Sequence, residues 1–385
     1  MKKFLTVFLV LAMALALLAG CGSTGDGGGG GEDSDVIRIG VFEPLTGANA
    51  AGGEIEVRGI ELAHEYLGDL LGKKVELVKV DNKSDAVEAA TAASRLVENE
   101  KVDIVLGSWG STLSIAGGDA FKNSQTVAIA ASATNPNVTL GNDYYYRICF
   151  LDPFQGTVLA NYAYKTMGAT KVGIIYETSN DYAVGLRNFF KNSYEELGGE
   201  IVAEAMYQTN DQDFNSQLMT VMAEKPDVIF APGNYTEAAL IMKQARALGY
   251  DDIKFLGGDT WETPPLIEVG GEAVEGCVIT TFFDPDAPLN DMTTTFVELY
   301  REKYNEDPAA FTALGFDVYL TAYKAIEAAG STDSEAIREA LKTLEVEGCT
   351  GSIRFDENGD AIKDTAILKT VQDGKFTFLD TVKID

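Results

Sequence analysis

The sequence predicts an α/β protein made of two doubly wound lobes, on three observations. Short β-branched strands alternate with amphipathic helices along most of the chain. That alternation is written twice in the same order. After a non-structural leader about 350 residues remain, too many for one ordinary core and suited to two.

The leader is read first. Lys2 and Lys3 precede an apolar run from Phe4 to Leu18, which ends in Leu18-Ala19-Gly20-Cys21. A basic start, a short apolar stretch and small residues form a secretion signal, and the run is shorter than the roughly 20 residues of a membrane span. Residues 1–20 are expected to be removed. The small residues before Cys21 resemble the bacterial lipobox, which implies that Cys21 carries a lipid, becomes the mature N-terminus and anchors the protein outside the cytoplasm. Residues 21–35 hold Gly27 to Gly31 and then Glu32-Asp33-Ser34-Asp35, with almost nothing apolar to bury, and read as a flexible tether. The GxGxxG at Gly25, Gly27 and Gly30 has no strand before it, so it is read as linker and not as a dinucleotide fingerprint.

Charge and composition exclude several functions. The formal charge is −29 and grows more negative once Lys2 and Lys3 are lost with the leader, so phosphate backbones are repelled and no nucleic-acid partner is expected. The single histidine, His64, falls in a helical pattern and reads as a solvated helix residue. It leaves no partner set for a catalytic triad or a zinc site. No GxSxG and no P-loop occur; an enzyme, a cofactor and a metal are therefore not expected. Cys149, Cys277 and Cys349 read as small buried apolar residues, with a Cys149–Cys277 bridge as the alternative.

The repeat sets the architecture. Strand Ile37 to Phe42 leads to helix Val57 to Leu70, strand Val75 to Val80, helix Ala86 to Glu98 and strand Asp103 to Leu106. Later, strand Lys171 to Tyr176, helix Ala183 to Leu197, strand Glu200 to Tyr207, helix Phe214 to Ala223 and strand Asp227 to Phe230 follow at nearly the same spacing. The loops correspond as well: Lys101-Val102-Asp103-Ile104-Val105 matches Lys225-Pro226-Asp227-Val228-Ile229. Ligands of doubly wound sheets sit beyond the carboxyl ends of the strands, so two such lobes facing each other would enclose a small molecule.

Several segments carry a family likeness: Gly40-Val41-Phe42-Glu43-Pro44-Leu45-Thr46-Gly47, Ala131-Ser132-Ala133-Thr134-Asn135-Pro136, Asp152-Pro153-Phe154-Gln155-Gly156, Ala245-Arg246-Ala247-Leu248-Gly249 and Phe355-Asp356-Glu357-Asn358-Gly359-Asp360. In this order and spacing the chain resembles the type I periplasmic solute-binding proteins of ABC transporters, specifically the branched-chain amino-acid binding group. The resemblance implies two Rossmann-like lobes joined by a three-segment hinge. The crossings fall near Cys149 to Asp152, Thr280 to Asp284 and Thr350 to Phe355, giving one lobe of 36–150 plus 281–350 and another of 151–280 plus 351–385. It further implies a monomer that captures a small apolar amino acid and passes it to an ABC permease. The alternative is a sensing domain that presents a metabolite to a separate receptor.

Site residues follow from the same likeness joined to the chemistry of a zwitterion, which needs donors for its carboxylate, an acceptor for its ammonium and a wall for its side chain. Ser111, Ser132 and Thr134 are expected to serve the carboxylate as neutral oriented donors, and Asp259 the ammonium. Tyr182 and Tyr235 are expected to cover the ligand from the second lobe. Trp109 and Trp261, the chain's two tryptophans, are assigned to the side-chain pocket. Gly52 stands where leucine-binding members carry an aromatic ring, so Trp109 is expected to reshape that pocket.

Overall fold

The computed structural model describes residues 35–383; the leader, Cys21 and nearly all of the tether lie outside the described residues. The first lobe begins β1 (Val36–Glu43), α1 (Ala50–Leu67), β2 (Lys74–Asp81), α2 (Ala86–Ser94), β3 (Ile104–Leu106), α3 (Ser111–Ser124), β4 (Ala128–Ala130) and β5 (Tyr145–Arg147). The second begins α4 (Asp152–Asn161), β6 (Lys171–Glu177), α5 (Asp181–Glu196), β7 (Glu200–Tyr207) and α6 (Asn215–Ala223). It continues through β8 (Val228–Phe230), α7 (Tyr235–Ala247), β9 (Lys254–Gly257), α8 (Pro264–Gly270) and β10 (Val278–Thr281).

The repeat seen in the sequence is a repeat of topology. The first sheet runs β2-β1-β3-β4-β5 and is parallel throughout. The parallel part of the second runs β7-β6-β8-β9-β10, the same order displaced by five strands. In both sheets the strand order reverses beside the first strand, so the loops after β1 and β3, and those after β6 and β8, diverge to leave a crevice. Strands such as Ile104–Leu106 and Val228–Phe230 are buried along their whole length, as expected for parallel sheets covered on both faces.

After β10 the chain returns to the first lobe through α9 (Asp291–Tyr304), α10 (Ala310–Ala329) and α11 (Ser334–Leu341), with α10 lying along α1. A short hairpin, β11 (Val346–Gly348) and β12 (Gly351–Ile353), precedes the last element. This is the antiparallel pair β13 (Thr365–Gln372) and β14 (Lys375–Lys383), which extends the second sheet past β10.

The crossing of α1 and α10 depends on two glycines. A Cβ at Gly59 would stand 2.0 Å from the Thr312 carbonyl oxygen, and one at Gly315 2.0 Å from that of Glu56. The backbones touch with no space for a methyl group, so Gly315→Ala must push the helices apart. We expect a loss of about 3 kcal/mol, measured by urea unfolding; a loss under about 0.5 kcal/mol would show that the crossing yields without strain.

Three expectations are corrected. The first helix starts at Ala50, seven residues before Val57, because Gly52 and Gly53 are packed into the helix instead of looped out of it. The second helix ends its regular part at Ser94 and closes in a wider π turn, Arg95–Asn99. His64 is half-buried, its Nδ1 2.9 Å from the Tyr319 hydroxyl, and burial lowers its pKa; it is a packing residue rather than a solvated one. Cys149, Cys277 and Cys349 are buried free thiols. Among the described residues no helix is long and apolar enough to cross a membrane, and no cluster of His, Cys, Asp and Glu could hold a metal.

Candidate ligand-binding cleft

A cavity of 290 Å³ opens between the carboxyl ends of the two sheets. The first lobe lines it with Ala48 and Asn49 after β1, Trp109 to Leu113 after β3, and Ser132 after β4. The second contributes Glu177, Asn180 and Tyr182 after β6, Asn234 after β8, and Asp259 and Thr260 after β9. Every contribution comes from the carboxyl end of a strand or from the loop or helix start that follows it.

One wall is a helix N-terminus. Gly110 caps α3 with φ of 90° and no side-chain cap bond, so the first backbone N–H groups of the helix face the cavity with no side chain competing for them. The Ser111 hydroxyl oxygen accepts the Asn135 N–H at 3.1 Å, which leaves its own proton to donate. Ser132 is buried, and its hydroxyl has no hydrogen-bond partner. A buried polar group without a partner is costly; this one shares the wall with the Ser111 hydroxyl and the start of α3.

The opposite wall holds the acid. Asp259 begins a short 3₁₀ turn, Asp259–Trp261, whose cap is Gly258 with no side-chain bond, so its carboxylate does not serve as a helix cap. The Gln155 Nε2 donates to its Oδ1 at 2.5 Å and the Tyr182 hydroxyl donates to the same oxygen at 2.9 Å. Burial pushes the Asp259 carboxyl up to about 6, against the opposing effect of these two bonds.

Trp109 forms the floor. Its ring stands edge-on to Phe311 at 5.7 Å and tilted against Tyr235 at 6.1 Å. A Cβ at residue 52 would fall 2.3 Å from the indole, so the ring occupies the space that Gly52 vacates. The exchange expected between these two positions is thus a physical contact between them.

Five of the eight expected site residues, Trp109, Ser111, Ser132, Tyr182 and Asp259, line the cavity. The other three stand behind or beside it. Thr134 is fully buried behind the wall, near Asp152. Trp261 is fully buried in the second lobe. Tyr235 spans the lobes, its hydroxyl donating to the Ala48 carbonyl at 2.7 Å. Sequence reasoning missed Asn49, Asn180, Asn234 and Thr260. Their signal was positional, since Asn180 and Asn234 occupy equivalent ends of β6 and β8.

Beside that of Tyr235, other hydrogen bonds join loops of the two lobes around the cleft. Asn234 Nδ2 donates to Asn49 Oδ1 at 3.0 Å, Asp181 N–H to Thr112 Oγ1 at 2.9 Å, and Asn135 Nδ2 to the Asp181 carbonyl at 2.8 Å.

Two doubly wound sheets of the same strand order around a cleft with a donor wall and an acceptor wall suit a solute-binding protein. The family model described as "Periplasmic binding protein" matches residues 36–375, and the chain belongs to that family. An "Amino acid binding protein" of Pseudomonas aeruginosa is 30% identical over 353 residues, covering 89% of this chain and 92% of the relative. Leucine-binding protein LivK of Thermotoga maritima superposes with a TM-score of 0.87 at 42% identity, over 90% of this chain and 99% of that one. The branched-chain amino acid transporter substrate-binding protein LivJ of Streptococcus pneumoniae, solved with isoleucine, does so at 0.85 and 32% identity, over 91% and 100%. Membership of the family makes this an extracytoplasmic solute-binding protein.

Proposed function

We propose that the protein captures a small apolar α-amino acid, of the branched-chain class, in the interlobe cleft and delivers it to an ABC permease. The observation that carries this reading is the free N-terminus of α3 facing Asp259 across the cavity. The ligand carboxylate is taken by the first N–H groups of α3, the Ser111 hydroxyl and Ser132, and the ammonium by Asp259, steadied by Tyr182 and Gln155. The side chain lies against Trp109. Thr134 and Trp261 support these groups from behind, and Tyr235 closes over the ligand as the lobes meet. Relatives whose names specify leucine or isoleucine support the side-chain class.

Binding alone is its task in this reading, in keeping with a family of solute-binding proteins. The lobes, 36–150 with 281–350 and 151–280 with 351–385, act as two bodies about three crossings, and the protein works as a monomer held to the membrane by lipid on Cys21.

A thermal-shift screen of the amino acids tests the reading. Ligand at about 100 times its dissociation constant adds roughly 2.7 kcal/mol of stability, so L-leucine, L-isoleucine or L-valine should raise the melting temperature most. A screen in which no amino acid shifts it, while another metabolite does, rejects the substrate class.

A further inference from the structure

Behind the donor wall lie two acidic side chains that the ligand chemistry does not use. Glu43 ends β1 and Glu56 faces inward from α1; both are fully buried. Glu43 Oε2 accepts the Trp109 N–H at 2.7 Å. Its Oε1 and both oxygens of Glu56 have no donor; the two carboxyl groups act on each other, and the Ser132 hydroxyl, itself without a partner, lies near Glu56.

The charges around the pair offer no compensation. Asp259 acts on Glu56 from the second lobe, and the Tyr145 hydroxyl, which donates to the Gly107 carbonyl, lies near Glu43. The Cys149 thiol lies near Glu56. Glu54 and Arg58 on α1 are exposed. Asp317 on α10 is turned to the backbone of Cys349 and Thr350. Two carboxylates in contact, buried and without a cation, cannot both be ionised.

We infer that Glu43 and Glu56 hold a proton between them, and that this bridge positions the loop after β3 against the loop after β4, the two loops that receive the ligand carboxylate. The Trp109 main-chain N–H is bound to Glu43; the shared proton extends that link to Glu56, which stands beside Ser132. It satisfies oxygens that otherwise lack donors and fixes Trp109 and Ser132 relative to each other. Burial and mutual repulsion raise Glu43, and burial raises Glu56 to about 8. Both are positioning residues, and this role rests on the amino-acid reading of the cleft.

The sign of the pH effect is set by these shifts. A carboxyl raised in the folded state binds its proton there and releases it on unfolding at neutral pH, so its contribution is present at low pH. It is lost as pH rises from the unfolded value, about 4.5, through about 8.

The test compares wild type with Glu56→Gln, which keeps a donor but cannot ionise, and Glu56→Ala, which keeps neither. Between pH 5 and pH 9 the ligand-free wild type should lose about 5 °C more of melting temperature than Glu56→Gln. In titrations with L-leucine or L-isoleucine at pH 7, Glu56→Ala should bind at least about tenfold more weakly, and Glu56→Gln should recover most of that loss. Infrared spectra of wild type at pH 7 should contain a protonated-carboxyl band that Glu56→Gln diminishes, a readout requiring no ligand. Equal pH slopes in wild type and Glu56→Gln, or no such band in the wild type, overturn the bridge. Equal affinity in Glu56→Ala overturns its positioning role. Should Glu56→Ala fail to fold, the wild-type band and the Glu56→Gln slope decide. Should neither amino acid bind, the ligand-free measurements still test the bridge, while the failed titration counts against the proposed substrate.

Discussion

Asp259→Asn weakens binding of the amino-acid ligand by about 30-fold to several-thousand-fold, or about 2–5 kcal/mol, as titration calorimetry should show. The asparagine carbonyl can still accept from Gln155 and Tyr182, which both donate to Oδ1 of the native residue. The fold therefore survives, and the amide NH₂ turns toward the ligand ammonium, where a donor meets a donor. A capping role would tolerate asparagine, but no side-chain cap bond is present. An affinity within threefold of wild type sinks the assignment.

The same carboxyl gives the binding an acid limb. Because burial holds Asp259 near 6 in the free protein and the ammonium requires it ionised, binding expels a proton below that pH. Affinity should be flat above about pH 6 and fall about tenfold per unit below it. Asp259→Asn should remove the limb along with most of the affinity.

Arg147→Met costs about 3–5 kcal/mol of folding stability, measured by guanidinium unfolding. Its side chain is fully buried. The Nε pairs with Asp360 Oδ1 at 2.5 Å, Nη1 donates to the Ala133 and Asn135 carbonyls at 2.8 and 2.7 Å, and Nη2 donates to Thr139 Oγ1 at 2.9 Å. Removal orphans a buried carboxylate and two carbonyls of the loop that carries Ser132. Adding Asp360→Leu should recover part of the loss, since the worst consequence is the unpaired charge. A double variant no more stable than Arg147→Met places the cost elsewhere.

The architecture was legible because parallel sheets covered on both faces demand apolar strands and amphipathic helices, and Lys171 to Phe230 repeats the spacing of Ile37 to Leu106. Ser111 and Asp259 were legible as cavity-lining residues too, because both lie just past strand ends. Other features were not. The start of α1 was hidden by Gly52 and Gly53, which read locally as a loop but are helical, with the Trp109 ring and Pro44 leaving no room for a side chain at either. Thr134 and Trp261 have the right chemistry at the right loop, but they stand two residues beyond Ser132 and Asp259, where the turn carries the side chain behind the wall. Glu56, lying between Ile55 and Val57, carries no mark of its burial, since the groups nearest it come from distant parts of the sequence.

The four bonds that Tyr235, Asn234, Asp181 and Asn135 make between the lobes bear on how long a captured solute is held. Two of them accept at main-chain oxygens, Ala48 and Asp181, so they require loop shape more than side-chain identity. Each is worth about 1 kcal/mol, a factor of about five in the ratio of shut to gaping molecules. Strengthening them slows escape but also leaves fewer empty molecules able to admit solute, and the observed affinity falls by that fraction. Residence time and capture are thus set by one group of contacts, and a transporter that pries Tyr235 from Ala48 would unload the cleft without touching the amino acid itself.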